Sequence, residues 1–139
     1  KSLLAFGQMS QGFLVNIGDV SLADVTKKTN GVDFVFSFIP KVDRTDAAGQ
    51  NTLFANGVKA GGFDYEKRLP AVEGNTYILR SIAYNGDATV TDRGFTYNEL
   101  DLDKRGDVIV AFKVIKRDFN GTITVLWKIL QLKESPALK

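Results

Sequence analysis

The chain contains no cysteine and no histidine, and only three prolines, one methionine and one tryptophan among 139 residues. Without cysteine there are no disulfides, no thiolate metal sites and no thiol nucleophile. Without histidine, the side chain best suited to moving protons near neutral pH is missing, as is the commonest transition-metal ligand. Ser-His-Asp, Cys-His, zinc and haem chemistry therefore drop out, which leaves carboxylate, lysine, tyrosine or hard-cation chemistry. A glycine-rich phosphate loop is lacking too. Gly61-Gly62 has no strand-to-helix context and no following Lys-Ser or Lys-Thr. The apolar stretch 3–6 is far too short for a signal-peptide core or a membrane span. The chain starts at Lys1 rather than Met; if a leader was removed before it, an extracytoplasmic location is the expectation. No cofactor is expected.

What is present describes an ordinary globular chain, with 44% hydrophobic and 24% charged residues. The length fits one β-rich domain over residues 1–139, with 133–139 expected to fray or to serve as a linker. Four Asn-Gly pairs punctuate it, at Asn30-Gly31, Asn56-Gly57, Asn85-Gly86 and Asn120-Gly121. Asn-Gly takes positive φ at both centres of a type I′ turn more readily than other pairs, so it signals hairpins. The expected fold class is mainly β: an antiparallel β-sandwich or partly open β-barrel of about seven to nine strands with one short helix.

Along the chain, 12–20 reads as a strand, and 21–24 as the start of a helix that Asn30-Gly31 ends. In 32–39, Val32, Phe34, Phe36 and Phe38 alternate strictly, which predicts a core strand closed by Pro40. Residues 45–55 read as one or two helical turns or a long loop. Further strands are expected over 65–72, with Pro70 at an edge, then over 76–84, 88–91 and 94–97. The final hairpin is the best-determined element. Residues 107–117 place Val108, Val110, Phe112 and Val114 on one face, and 122–132 place Ile123, Val125, Trp127 and Ile129 on one face. These rows pair on the same side and put Phe112 beside Trp127, whose alternation with Val125 and Ile129 assigns it to the core.

Candidate sites are few. Asp101, Asp103 and Asp107 resemble an oxygen-rich cation loop, but Arg105 stands where a third ligand belongs and no glutamate closes the loop. Arg105-Gly106-Asp107 spells an integrin-type tripeptide, although Gly106 just before a strand more simply serves a turn. Surface aromatics that suit carbohydrate or protein contact are Tyr84, Phe95 and Tyr97 near the Asn85 turn and Phe119 at the hairpin tip. The other face of the last hairpin mixes charge and apolar residues. Lys113, Ile115, Leu126, Lys128 and Leu130 form an expected partner surface there, including for a homodimer. Residues 85–103 carry a net −4 and residues 104–133 a net +5, an imbalance that neighbouring segments can neutralise between themselves. The basic residues lack interleaved aromatics, so nucleic acid is not the expected partner.

The expected function is a non-catalytic binding or structural module, part of a larger or processed protein, with a protein or carbohydrate partner. The alternatives are a small apolar or sugar ligand held among Phe34, Phe36, Phe38, Tyr77 and Trp127, and a carboxylate glycosidase. The second needs two acidic residues flanking one cleft, and no pair among Glu66, Glu73, Glu99 and the aspartates is marked out by spacing.

Overall fold

The computed structural model describes residues 3–5, 11–87, 89–102 and 106–139. Ten strands and two α-helices follow one another as β1 (Leu3–Ala5), β2 (Gln11–Gly18), α1 (Val32–Ser37), α2 (Arg44–Asn56), β3 (Val58–Ala60), β4 (Phe63–Glu66), β5 (Arg68–Pro70), β6 (Thr76–Ile82), β7 (Thr89–Asp92), β8 (Phe95–Asn98), β9 (Asp107–Arg117) and β10 (Ile123–Lys133). Short 3₁₀ turns cover Leu22–Asp24 and Glu99–Leu102. The fold is mainly β and antiparallel, as the hairpin signals imply. Six strands form one open sheet in the order β10-β9-β6-β2-β4-β3, and β1-β5 and β7-β8 form two-stranded ribbons. It does not close into a barrel.

Strands β2 and β6 lie at the centre of the sheet, and both of their faces are buried. On one side Phe13, Val15, Ile78, Ile109 and Ala111 pack with Val32 and Val35 of α1, Phe54 of α2 and Tyr65 of β4. On the other, Leu14, Tyr77, Phe112 and Val114 pack under Leu69 of β5. The sheet is thus sandwiched between a helical layer and a small ribbon, an economical way to cover both apolar faces.

The expected strand over 32–39 is helix α1. Its sequence satisfies two periods at once: Phe34 and Phe38 alternate with polar positions, but they also lie one helical turn apart. Val32 and Val35, at i and i+3, are fully buried, and the Phe38 N–H bonds to the Phe34 carbonyl, 3.0 Å away. The phenylalanines still feed the core, from the helix side. Tertiary packing here decides between local patterns that are equally allowed. The helical option for 45–55 holds instead of the loop. Asp43 caps α2 by accepting from the Thr45 and Asp46 N–H groups at 2.9 and 3.1 Å.

Among the four Asn-Gly pairs, one makes a hairpin. Gly31 (φ 85°) starts α1 and Gly57 (φ 91°) ends α2. Asn85 makes an isolated parallel bridge to Ala137. Only Asn120-Gly121 joins two paired strands, by a type I turn with a glycine bulge: the Gly121 N–H donates to Asp118 O and the Asp118 N–H to Thr122 O. Among the described residues, Arg93 (φ 50°) is the one non-glycine with positive φ, and with Gly94 (φ 82°) it makes the tight two-residue turn between β7 and β8.

The carboxyl-terminal residues do not fray. The Asn85 N–H donates to Pro136 O, the Leu138 N–H to Asn85 O and the Lys139 N–H to Val42 O, at 2.7–2.9 Å. Leu138 also packs against the cluster of Ala47, Ile82 and Tyr84. An expected end of a strand sequence therefore becomes a strap, because an apolar leucine has a hydrophobic site to reach.

Tyr65 pins the first Asn-Gly corner by donating its hydroxyl to Gly31 O at 2.7 Å. Burial, with the Asp33 charge adding to it, pushes its phenol up to about 12 from 10.0. The folded state thus holds the proton more tightly than the unfolded chain, so the stability that Tyr65 contributes is complete below pH 10 and is lost as pH rises through about 12. Denaturation midpoints are expected to fall across that window in the wild type. The fall should be smaller in Tyr65→Phe, which has no proton to lose; equal falls in both would show that Tyr65 does not drive it.

Candidate functional site

The last hairpin forms one edge of the main sheet. Trp127 pairs with Phe112, Val125 with Val114, Ile129 with Val110 and Leu132 with Val108. Two irregularities shape it. Ile115 is an extra residue on β9, and Leu130 an extra residue on β10. The second has a clear effect on the faces: Leu130 turns towards the helical-side core, so Leu132, rather than Gln131, continues the row of Val125, Trp127 and Ile129. That row carries no charge. The cluster under Leu69 reaches Ile123 and Val125 and ends there. Beyond it Trp127 is 64% exposed, Ile129 53% and Leu132 64%.

Trp127 is therefore a surface residue, contrary to the core assignment from its alternation. Alternation reports which face a side chain is on; it does not report whether anything covers that face. The useful signal was positional: a final long strand paired with one neighbour lies at a sheet edge. The break of phase at Ile129-Leu130-Gln131-Leu132 marks the bulge.

The mixed face expected to meet a partner is mostly used within the chain. Lys113 Nζ bonds Asp19 at 2.6 Å and also Val20 O, and Lys128 Nζ donates to Val25 O at 3.3 Å. With Leu130 in the core, Ile115 and Leu126 are the exposed members of that set. The segment after β2 folds over the hairpin here, so its lysines serve to hold the loop.

The four aromatic candidates do not converge. Tyr84 is buried, donating its hydroxyl to Lys41 O at 2.6 Å and accepting from Gln50 Nε2 at 3.2 Å. Phe95 and Tyr97 are exposed on one face of the β7-β8 ribbon, with Val90 opposite Tyr97. Phe119 is fully exposed at the hairpin tip, which lies at the far end of β9 from the root of that ribbon. Nor do the residues expected to line an interior ligand site share a cavity. Phe34, Phe36 and Phe38 pack on the helical side, Tyr77 lies on the opposite side of the sheet, and Trp127 faces outward. The spaces of ligand size described are open surface grooves, of about 480 Å³ beside Asn30, Asp33 and Phe63 and about 300 Å³ beside Phe38, Gln50 and Leu53.

The acidic candidates separate too. Asp107 is buried, and its two oxygens accept from Arg80 Nε at 2.9 Å and Nη2 at 2.7 Å. Asp101 is exposed, and Asp103 lies outside the described residues. Among the described residues, no three acidic side chains gather at metal-binding distance. Gly106 (φ 88°) serves the chain path, since a Cβ there would stand 2.7 Å from Lys133 O. Among the described residues no helix is long and apolar enough to cross a membrane. No protein-family model, curated protein or solved structure matches the chain.

Proposed function

We propose that this chain is a non-catalytic binding or structural β module that engages its partner through the uncharged row Trp127, Ile129 and Leu132. One observation carries the proposal: three large apolar side chains, each more than half exposed, lie side by side on one face of an edge strand. Scattered surface hydrophobics are normal, but a contiguous stripe of them marks a contact site. The committed roles of Asp107 and of the lysines over the hairpin favour a contact surface over a charged reaction centre.

The test is a triple variant, Trp127→Thr, Ile129→Thr and Leu132→Thr, which keeps strand-favouring side chains. The native chain is expected to enhance the fluorescence of the apolar dye anilinonaphthalene sulfonate, and the variant to lose most of that signal. The variant should fold, at a cost of about 1–2 kcal/mol for three surface changes. A native chain blind to the dye would sink the proposal. So would a loss of stability on the scale of core truncations, about 3 kcal/mol or more per residue, or turnover of a substrate abolished by changing one carboxylate.

A further inference from the structure

We infer that the occupant of this stripe is a second copy of the chain, stacked face to face about a two-fold axis passing near Ile129; this rests on the stripe being a contact surface. The first support is the state of the edge. A bare edge strand invites another strand to extend the sheet, but β10 is kinked by the bulge at Leu130 and opposes another at Ile115. Lys128 lies between them. Bulges and lysines are the devices that block edge-to-edge pairing. Contact is thereby directed to the face.

The second support is the chemistry of the face. Along β10 its positions are Ile123, Val125, Trp127, Ile129 and Leu132, without a charge, while the two lysines of the strand, Lys128 and Lys133, project to the other side. A self-contact places every group against its own copy, so a charged surface would repel itself and an uncharged one does not. The bulge keeps the row evenly spaced in register with Val114, Phe112, Val110 and Val108. A two-fold axis at Ile129 then sets Trp127 of one copy against Leu132 of the other, and the reverse. Charge fits at the margins. The same axis carries the Glu134 end of one stripe toward the end of the other that bears Arg117, a pairing of opposite signs.

The third support is the layer arrangement. The ribbon that covers this side of the sheet over β2 and β6 ends before β10, and a second sheet stacked there would complete the layer at the usual spacing of about 10 Å. The available area sets the strength. Two strands over four register positions span about 20 by 10 Å, which places the contact at or below the low end of stable interfaces, about 1,200 Å² in total. A weak dimer, with dissociation in the micromolar range, is the expected form.

Sedimentation velocity from about 1 µM to about 1 mM tests it. The wild type is expected to move from monomer to dimer, while the emission of its sole tryptophan shifts to shorter wavelength as the indole leaves water. Ile129→Glu should stay monomeric throughout with its melting temperature almost unchanged. Leu126→Glu, on the opposite face of the same strand, should dimerise as the wild type does. Dimerisation abolished by Leu126→Glu and spared by Ile129→Glu would overturn the inference. So would a wild type that stays monomeric to the top of the range. If that monomer still binds the apolar dye, the second copy is wrong and the contact face stands; if it does not bind the dye, both fall.

Discussion

Asp107→Ala is expected to destabilise the protein by about 3–5 kcal/mol, the range for breaking a buried ion pair from one side. Arg80 and Asp107 are 3% and 7% exposed in their side chains. Their bidentate contact uses both carboxylate oxygens, the geometry in which arginine and carboxylate match best. Arg80 has a second task, because its Nη1 donates to Val35 O at 2.9 Å and to Phe38 O. These are carbonyls at the end of α1 that the helix itself leaves unsatisfied. Its guanidinium also lies 5.5 Å from the centroid of the Phe38 ring. Removing the carboxylate leaves a cation enclosed among aromatic and carbonyl groups. Arg80→Met leaves an anion and the carbonyls of Val35 and Phe38 stranded, and should cost as much. The double variant Arg80→Met/Asp107→Leu removes both charges but leaves the helix end uncapped. It is expected to be more stable than either single variant and less stable than the wild type. Urea midpoints for the four proteins test this through their non-additivity. Single variants within about 1 kcal/mol of wild type would mean that water or relaxation repairs the site.

The parts of this fold that were legible from sequence are those fixed by local chemistry. The 107–117 and 122–132 ribbon followed from two alternating rows around Asn120-Gly121, and Trp127 does face Phe112. What stayed hidden depends on distant partners. Nothing local separates a helix from a strand at Val-Asp-Phe-Val-Phe-Ser-Phe; the choice falls to the surface that Val32 and Val35 meet together. Asn-Gly reports a change of chain direction, and at Gly31 and Gly57 the change belongs to helix ends. Asp107 looked like a ligand because a partner 27 residues away in sequence is invisible to spacing. The candidate site was half legible: its residues were on the page as an alternating row. Their exposure required knowing that β10 is outermost and that the covering ribbon falls short of it.

Phe13→Ala is expected to cost about 3–5 kcal/mol, at the upper end for a buried phenylalanine. Phe13 lies on β2 with no exposure. Its ring stacks on Phe54 at 4.2 Å and meets Phe38 edge-on at 5.3 Å, with Phe34 and Tyr65 each at 6.0 Å. One side chain therefore ties β2 to α2, to α1 with the residue that follows it, and to β4. Each aromatic pair adds about 0.5–1.5 kcal/mol beyond the area it buries. A cavity at this point cannot collapse without moving both helices, so hydrogen exchange in α1 and α2 should accelerate more than in β9. Phe13→Leu refills most of the volume and should recover more than half of the loss. Trp127→Ala supplies the decisive contrast: it deletes a larger side chain, yet one mostly in water, and should cost about 1 kcal/mol or less. If equilibrium unfolding ranked the two in the opposite order, the interior assigned to the helical side and the open stripe assigned to β10 would both be misplaced.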